Sequence, residues 1–323
     1  MINAKAMVFT QYGDPDVLTL RSITLAEPDK GELLLKVLAA GFNPLDTKVR
    51  SGLAPVATES GTIGCDLCGE VVAIGEGVDA FAVGDRVYGM TGGVRGTMGT
   101  VCEYVLADAR LVAPAPANLT NEATACLPVV SLTAMEVLQR LRPQPKSRLL
   151  ILGGLGGVGR MVLQLALHRG IKVTATAGSS ERLETLRKMG VEALAHHEVA
   201  NLVAAGRSFD FVVDTCGGES LGSALNAVAV WGEVATINAR GAHDLSMAHA
   251  KSLTLHAVFK ALPLLTGKGR EALGEDLAQF TSWVEQGVID VPEPERVMAT
   301  NLAAVHRRYE QGQLQGKVAL VWP

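Results

Sequence analysis

Two cysteines three residues apart are the first candidates for chemistry in the sequence. Cys65 and Cys68 lie in the stretch GCDLCGEV. A C-x-x-C pair is half of a structural zinc pattern, but the other half needs a second close pair, and Cys102, Cys126 and Cys216 stand apart. Free cysteine otherwise behaves as a small buried hydrophobic residue. The ligand count therefore favours two packed cysteines over a metal site.

A glycine-rich stretch, RLLILGGLGGVGRMVLQLALHRG, has the spacing of a phosphate-binding loop. Gly154-x-Gly156-x-x-Gly159 follows a predicted strand and opens a predicted helix. We expect Gly154 to permit the tight turn, Gly156 to let the backbone approach a pyrophosphate, and Gly159 to allow close packing of helix and sheet. The helix start, at Gly157 and Val158, offers free N–H groups to phosphates. In this context the motif predicts dinucleotide binding, and the alternative is a glycine-rich turn without a ligand.

The residues after the next predicted strand, IKVTATA, bear on which dinucleotide binds. An NAD site places an acidic residue on the ribose hydroxyls. Here Ser179, Ser180 and Arg182 follow, and they suit a 2′-phosphate through hydroxyl and charge-assisted hydrogen bonds. The pattern therefore favours NADPH. Two alternatives stay open, namely a helix-capping role alone for the serines and Glu181 as the acidic residue.

The elements that must position these residues follow two patterns. Up to about Pro128, short apolar runs separated by Gly, Asp and Pro are typical of a small antiparallel barrel or sandwich. From about Leu127, the strands RLLILG, IKVTATA, FDFVVD, EVATIN and LTLHAVF alternate with helical segments, which indicates a doubly wound parallel sheet because parallel strands need crossover connections. After about Ala261 one amphipathic helix, EALGEDLAQFTSWVEQGVI, precedes a final strand, GKVALVW. The predicted fold class is α/β.

Composition limits the possible partners. A chain of 323 residues suffices for two domains, and 48% hydrophobic residues argue against disorder. The net charge of −4, without a basic cluster, argues against nucleic acid or an anionic membrane as partner. The start of the chain lacks a signal peptide, and no run approaches the ~18 apolar residues of a membrane span. We therefore expect a cytoplasmic protein with reduced thiols and a small-molecule substrate.

Six motifs along the chain have counterparts, in the same order, in one enzyme family. They are AAGFNPLDTKVRSG, GCDLCGEVVAIGEGVDAFAVGDRVYG, LPVVSLTAMEVL, GGLGGVGRMVLQLA, DTCGG and GKVALV. The chain resembles the zinc-independent medium-chain dehydrogenases/reductases, close to the quinone oxidoreductases related to zeta-crystallin. The resemblance implies a GroES-like catalytic domain over 1–120, a Rossmann NADP-binding domain over 121–262, and a C-terminal return over 263–323. It also implies a homodimer or homotetramer.

Zinc-dependent members of that superfamily hold a catalytic zinc ion with ligands from three segments. The resemblance places Asn43, Cys65 and Val129 at those positions. Only Cys65 could serve, whereas a catalytic zinc needs three protein ligands. The resemblance therefore implies zinc-free hydride transfer from NADPH to quinones or α,β-unsaturated carbonyl compounds, in which a conjugated oxygen takes the developing charge. Two alternatives are a zinc-dependent alcohol dehydrogenase and an NADPH-binding sensor or structural protein without turnover.

Two residues are the catalytic candidates. Asn43 matches the family's active-site Asn, whose amide could donate to a substrate oxygen or hold the nicotinamide ribose; alternatively it is a turn residue before Pro44. Lys48 stands where quinone oxidoreductases often have Tyr. A cation there could stabilise an enolate or quinol oxygen, although a solvated surface Lys is the ordinary alternative.

The remaining candidates concern the cofactor and one loop. Thr133 matches a Thr near the nicotinamide carboxamide, or else bonds its own helix. His197 falls where relatives often have a Tyr beside the adenosine phosphate. Asn238 follows a strand at the edge where open α/β sheets bind ligands, and Lys317 resembles a family Lys near the cofactor. Arg95, between glycines in TGGVRGTMG, could contact substrate or lie in a mobile loop.

Overall fold

The computed structural model describes residues 1–323. The strands are β1 Ile2–Val8, β2 Thr19–Leu25, β3 Glu32–Gly41, β4 Asp66–Ile74, β5 Arg86–Met90, β6 Tyr104–Asp108, β7 Val112–Pro114, β8 Arg148–Leu152, β9 Lys172–Ala177, β10 Glu192–Ala195, β11 Phe209–Asp214, β12 Val228–Thr236, β13 Thr254–Ala257, β14 Glu295–Met298 and β15 Val318–Val321. The helices are α1 Pro44–Ser51, α2 Asn121–Ala125, α3 Pro128–Leu141, α4 Gly157–His168, α5 Ser180–Lys188, α6 Glu198–Ala204, α7 Glu219–Ala227, α8 Ser246–Ala250, α9 Leu262–Thr266, α10 Glu271–Glu285 and α11 Leu302–Glu310.

The chain forms two compact units. The first unit comprises Met1–Val129 and Ala261–Pro323, and the second comprises Val130–Lys260. The first boundary lies after α2 because this helix packs against β3, β4 and β15 of the first unit. A Cβ on Gly41 of β3 would lie 2.2 Å from the carbonyl oxygen of Ala125, so the close packing requires glycine there.

The first unit contains a seven-stranded sheet in the order β14-β15-β3-β4-β5-β7, with β6 also paired to β3, and a separate β1–β2 ladder. All its pairs are antiparallel except β14–β15. Cys65 and Cys68, before and in β4, are fully buried free thiols, and this confirms the prediction of two packed cysteines. The Cys68 thiol donates to Asn121 Oδ1 at 3.7 Å, so it is bonded to α2.

The antiparallel pairing of β15 with β3 brings a C-terminal segment of the chain beside the end of β3. Ala319 pairs with Gly41 and Leu320 with Ala40. Lys317, immediately before β15, is therefore placed beside Phe42 and Asn43, immediately after β3. This register positions the residues of the candidate site.

The second unit is a six-stranded parallel sheet in the order β10-β9-β8-β11-β12-β13. Counted from β8, this is the 3-2-1-4-5-6 order of a Rossmann fold. Its central strands read as continuous apolar runs because both faces are covered, and Leu150 and Ile151 are fully buried. The predicted α/β class with a doubly wound parallel sheet is confirmed. None of the helices has both the length and the apolar character needed to span a lipid bilayer.

Candidate functional site

A buried polar network lies within the first unit. Its members come from three separate segments: Asn43 and Asp46 at the start of α1, Cys65 and Asp66 at the start of β4, and Lys317 before β15. We call these five residues the Asn43 network. Asp46 was not singled out by sequence reasoning, nor was Asp66.

The amide of Asn43 bridges a cation and a carboxylate. Lys317 Nζ donates to Asn43 Oδ1 at 2.7 Å and to the carbonyl oxygen of Phe42 at 2.9 Å. Asn43 Nδ2 donates to Asp66 Oδ2 at 2.8 Å. Because an ammonium only donates and a carboxylate only accepts, these two partners dictate which end of the amide faces which neighbour.

Asn43 also begins α1, as the turn alternative expected. Its backbone N–H donates to Asp46 Oδ2 at 2.8 Å, three residues into the helix. This is the reciprocal half of a capping box, in which the third helical residue satisfies the capping residue's N–H. The Asn43 side chain is only 1% exposed and is directed to Asp66 and Lys317, so the turn is formed without using the amide.

Asp66 is fully buried and holds two donors. The backbone N–H of Val129 donates to both carboxylate oxygens at 3.1 Å, and Asn43 supplies the other bond. Burial raises the pKa of Asp66 to about 7, against the lowering effects of the Lys317 charge and the Asn43 amide. The raised pKa reflects the cost of a negative charge in this buried position.

Asp46 has a similar environment. Burial raises its pKa to about 7, and the N–H of Asn43 and the charge of Lys317 oppose the rise. The Cys65 thiol donates to Asp46 Oδ1 at 3.7 Å. Burial, followed by the charges of Asp46 and Asp66, raises the pKa of Cys65, so this sulfur stays a thiol.

The glycine loop of the second unit forms a tight cradle between β8 and α4. The left-handed turn falls at Gly153, with φ of 83°, and not at Gly154 as we expected. Gly154 is needed for space, because a Cβ there would lie 2.6 Å from Ala175 Cβ. A Cβ on Gly159 would lie 2.2 Å from the carbonyl oxygen of Gly153, while Gly156 takes the capping position of α4. The backbone thus leaves the free N–H groups of the helix start open to a pyrophosphate.

The segment after β9 carries the candidates for adenosine phosphate recognition. Ser179 caps α5 through a bond from the N–H of Arg182 at 3.4 Å, and Ser180 is the first helical residue. The capping role is therefore confirmed for Ser179. The Arg182 side chain is exposed, as is His197.

One basic residue in this region was not predicted to contact the cofactor. His196 Nδ1 lies 2.8 Å from Thr176 Oγ1, so the imidazole is held at the end of β9. Partial burial lowers the pKa of His196, and the charges of Arg182 and His197 add to that effect. Arg182, His196 and His197 thus lie near the end of β9. The sequence signal that could have identified His196 is its position directly after the short strand β10, at the sheet edge that binds ligands.

The other predicted residues occupy varied environments. Thr133 is buried on α3. Asn238 Nδ2 donates to the carbonyl oxygen of Cys216 at 3.1 Å, beside the end of β12. Lys48 is half-buried on α1. Arg95 is held by bonds to the carbonyl oxygens of Val56 and Pro55 at 2.7 and 3.1 Å, from its backbone N–H and its guanidinium.

Comparison with known proteins gives consistent results along the chain. Residues 29–117 match the alcohol dehydrogenase GroES-like domain, and residues 157–267 match the zinc-binding dehydrogenase domain. The crystal structure of an alcohol dehydrogenase superfamily protein from Novosphingobium aromaticivorans is 35% identical, with a TM-score of 0.92 over 99% of this chain and 100% of that chain. The quinone oxidoreductase of Sus scrofa is 30% identical over 73% of both chains.

The chain belongs to the quinone oxidoreductase family of the medium-chain dehydrogenases/reductases.

A third relative has a name that specifies a cofactor. The chloroplastic NADPH-dependent alkenal/one oxidoreductase of Arabidopsis thaliana is 37% identical over 225 residues, which are 66% of this chain. The chain spans 57% of the length of that plant relative.

A catalytic zinc ion, which the dehydrogenase family name implies, does not fit the residues present. At the three positions where zinc-dependent members have ligands, Asn43 Oδ1 accepts from an ammonium, Val129 offers only its backbone N–H to the network, and Cys65 is a thiol bonded to Asp46. No three His, Cys, Asp or Glu side chains come together as a metal-ion ligand set.

Proposed function

We propose that this protein reduces quinones or α,β-unsaturated carbonyl compounds with NADPH, without zinc. The observation that carries the proposal is the hydrogen bond between Lys317 and Asn43 at a position where zinc-dependent relatives have a metal ligand. The names of the relatives support the same chemistry: one is a quinone oxidoreductase and one an NADPH-dependent alkenal/one oxidoreductase.

The second unit offers residues that fit the dinucleotide. The glycine cradle would hold the pyrophosphate, through Gly154, Gly156, Gly157, Val158 and Gly159, because the first N–H groups of a helix have no acceptor within the helix. When bound, NADPH supplies the hydride.

Four exposed side chains would recognise the 2′-phosphate: Ser179, Ser180, Arg182 and His197. Arg182 is the principal one, because its guanidinium can form charge-assisted hydrogen bonds with the phosphate. Thr133 and Asn238 would hold the nicotinamide half of the cofactor.

Reduction of a conjugated carbonyl places negative charge on its oxygen, so the protein must supply hydrogen-bond donors there. Donors fixed before the reaction stabilise such charge without reorganisation. The Asn43 amide is fixed on both sides by Asp66 and Lys317, and Lys48, four residues into the following helix, adds a second cation. Asn43 and Lys48 are the two predicted catalytic residues. Lys48 would donate to the substrate oxygen, whereas Asn43, which is 1% exposed, would act by holding the Lys317 ammonium in place.

The proposal extends to the working state of the protein. We infer a cytoplasmic homodimer or homotetramer that acts on small molecules and not on nucleic acid or a membrane. Five cysteines without a disulfide are consistent with a reducing compartment. Light scattering coupled to gel filtration measures the number of subunits. A monomer at working concentration contradicts the proposed homodimer or homotetramer.

The direct test follows cofactor oxidation in chelator-treated, metal-free protein. NADPH and NADH are each offered with 1,4-benzoquinone, 9,10-phenanthrenequinone and trans-2-hexenal, and NADP⁺ is offered with a series of primary alcohols. We expect NADPH oxidation with at least one quinone or enone and no alcohol oxidation. Loss of all activity on metal removal contradicts the zinc-free mechanism, and tight NADPH binding with no turnover of any substrate favours a sensor or structural role.

A further inference from the structure

A single ammonium serves a cluster of buried acids in the first unit. Burial raises the pKa of Asp46, Asp66 and Cys65, and the positive charge of Lys317 opposes the rise at all three. Lys317 Nζ is bonded to Asn43, whose amide donates to Asp66 and whose backbone N–H donates to Asp46. Two carboxyls that share one fixed cation hold that cation in place by charge as well as by hydrogen bonds.

This ammonium lies beside one of the positions that hold a metal ligand in zinc-dependent relatives. An oxygen ligand lies about 2.0–2.2 Å from zinc. Lys317 Nζ lies 2.7 Å from the side-chain oxygen of Asn43, which stands at a zinc-ligand position, and its charge acts on Cys65, which stands at another. Lys317 thus places a positive charge in hydrogen-bond contact with Asn43.

Lys317 is partly exposed, whereas Asn43 is buried. The Lys317 side chain is half-buried, and its ammonium has three N–H groups. Two of them donate to Phe42 and Asn43, and the structure gives the third no acceptor. The Asn43 side chain is 1% exposed, so its remaining N–H is shielded.

We propose that Lys317 is a catalytic residue of the proposed reduction, the cation that stabilises the substrate oxyanion in place of zinc. This inference rests on the proposed function. As the hydride forms a C–H bond at the β-carbon of an enone, the electron pair of the C=C bond shifts and the carbonyl becomes an enolate. The free N–H of Lys317 donates to the enolate oxygen, and a proton from water then completes the reduction at the α-carbon. The hydride, which NADPH would supply, carries both electrons, and the water that gives its proton becomes hydroxide, so the step balances.

Asn43 and Asp66 then act as positioning residues for Lys317. Asn43 Oδ1 and the Phe42 carbonyl fix two of its N–H groups, and Asp66 fixes Asn43. The Lys317 ammonium is therefore fixed in place before substrate arrives, which is the condition under which an oxyanion donor is effective.

Steady-state kinetics with the most active substrate test the role of Lys317. We expect Lys317→Met to lower kcat by about 100- to 1000-fold with little change in KM, as for loss of an oxyanion donor. Lys317→Arg retains a cation and should recover part of the loss. Lys30→Met is the matched control, since Lys30 lies in the same unit, is 77% exposed, and makes only a surface ion pair. Equal kcat values for Lys317→Met and the wild type overturn the proposal.

The Lys317→Met variant leaves two buried acids without their cation. If it does not fold, Lys317→Met with Asp66→Asn removes one charge of each sign and serves in its place. We expect this double variant to fold, by circular dichroism, and to show the same loss of kcat. Wild-type kcat in the folded double variant overturns the proposal.

A binding measurement separates this inference from the proposed function. 4-Nitrophenol, whose phenolate resembles an enolate or quinol oxyanion, is titrated into protein saturated with NADP⁺, and the visible phenolate band is recorded against pH. We expect the bound phenol to ionise at lower pH than the free phenol in the wild type and in Lys30→Met, but not in Lys317→Met. A Lys317-dependent shift in a protein that reduces no quinone or enone sinks the proposed function while the oxyanion site stands. Normal turnover without any shift sinks the oxyanion site alone.

Discussion

The candidate sites of the two units consist of different chemical groups. The first unit places two carboxyls, a thiol and an ammonium in a region where Asp46 is 3% exposed and Asp66 is fully buried. The second unit uses backbone N–H groups of a glycine cradle and exposed polar side chains at strand ends. Buried charge makes the first site sensitive to protonation and to single-partner deletions, whereas close backbone packing makes the second sensitive to added atoms. Four experiments test this difference between the two units.

The largest expected effect is a fall in stability as pH rises from about 4 to about 7. The pKa values of Asp46 and Asp66 are raised from 3.8 to about 7 in the folded protein, so between these values the folded state binds more protons than the unfolded state. The free energy of unfolding therefore decreases with pH through this window, by about 4 kcal/mol for one carboxyl. Urea unfolding at a series of pH values measures the slope.

Two variants separate the sources of that slope. Asp46→Asn should make it shallower. His306 acts in the opposite sense, because burial, followed by the charge of Arg50, lowers its pKa to about 3 and the folded state binds fewer protons than the unfolded state below pH 6.5. His306→Leu should therefore steepen the net fall. An unchanged slope in both variants contradicts the assignment of buried charge to these residues.

Removal of one carboxylate from the Asn43 network ranks second. Asp66→Ala orphans the side-chain N–H of Asn43 and the backbone N–H of Val129, so we expect a loss of about 3 kcal/mol in the free energy of unfolding. The control, Asp210→Ala, breaks an exposed ion pair with Arg148 in the second unit and should cost below about 1 kcal/mol. Comparable losses in the two variants would remove the distinction between the units.

Added volume in the glycine cradle ranks third. Gly159→Ala places a Cβ 2.2 Å from the carbonyl oxygen of Gly153, so strand and helix must move apart. We expect the dissociation constant for NADPH, measured by fluorescence titration, to rise more than about tenfold, given an overpacking cost of about 1–3 kcal/mol. Gly222→Ala, in α7 with open space around the new Cβ, should leave binding unchanged.

The smallest expected effect concerns cofactor selectivity. Arg182→Gln should weaken NADPH binding about tenfold and leave NADH binding unchanged, because a charge-assisted bond to the 2′-phosphate is partly screened at this exposed position. Arg187→Gln, in the last turn of the same helix, is the control. Equal weakening of both cofactors by Arg182→Gln would favour Glu181 or the serines as the discriminating residues.

Local motifs were predictable because their meaning lies in short spacing. The glycine loop, the parallel strands and the amphipathic helix now seen as α10 each follow from a few neighbouring residues. The position of the left-handed turn at Gly153 could not be predicted from the sequence. Two adjacent glycines have the same backbone freedom, and the packing of Gly154 against Ala175 decides between them.

The Asn43 network was beyond sequence reasoning for a different reason. Asn43 and Lys317 are 274 residues apart, and only the β15–β3 register brings them into contact. One member had a local signal: Asn43-x-x-Asp46 has the spacing of a capping box, which would have identified Asp46. Asp66 had none, because an acidic residue beside a buried cysteine shows its partners only in three dimensions.

In the proposed reduction, Lys317 supplies the positive charge that zinc supplies in zinc-dependent relatives. NADPH oxidation by one quinone is measured in preparations of graded zinc content, which elemental analysis determines on the same samples. We expect a rate per mole of protein that is independent of zinc and is lost in Lys317→Met. A rate proportional to bound zinc, or one that Lys317→Met leaves unchanged, would contradict it.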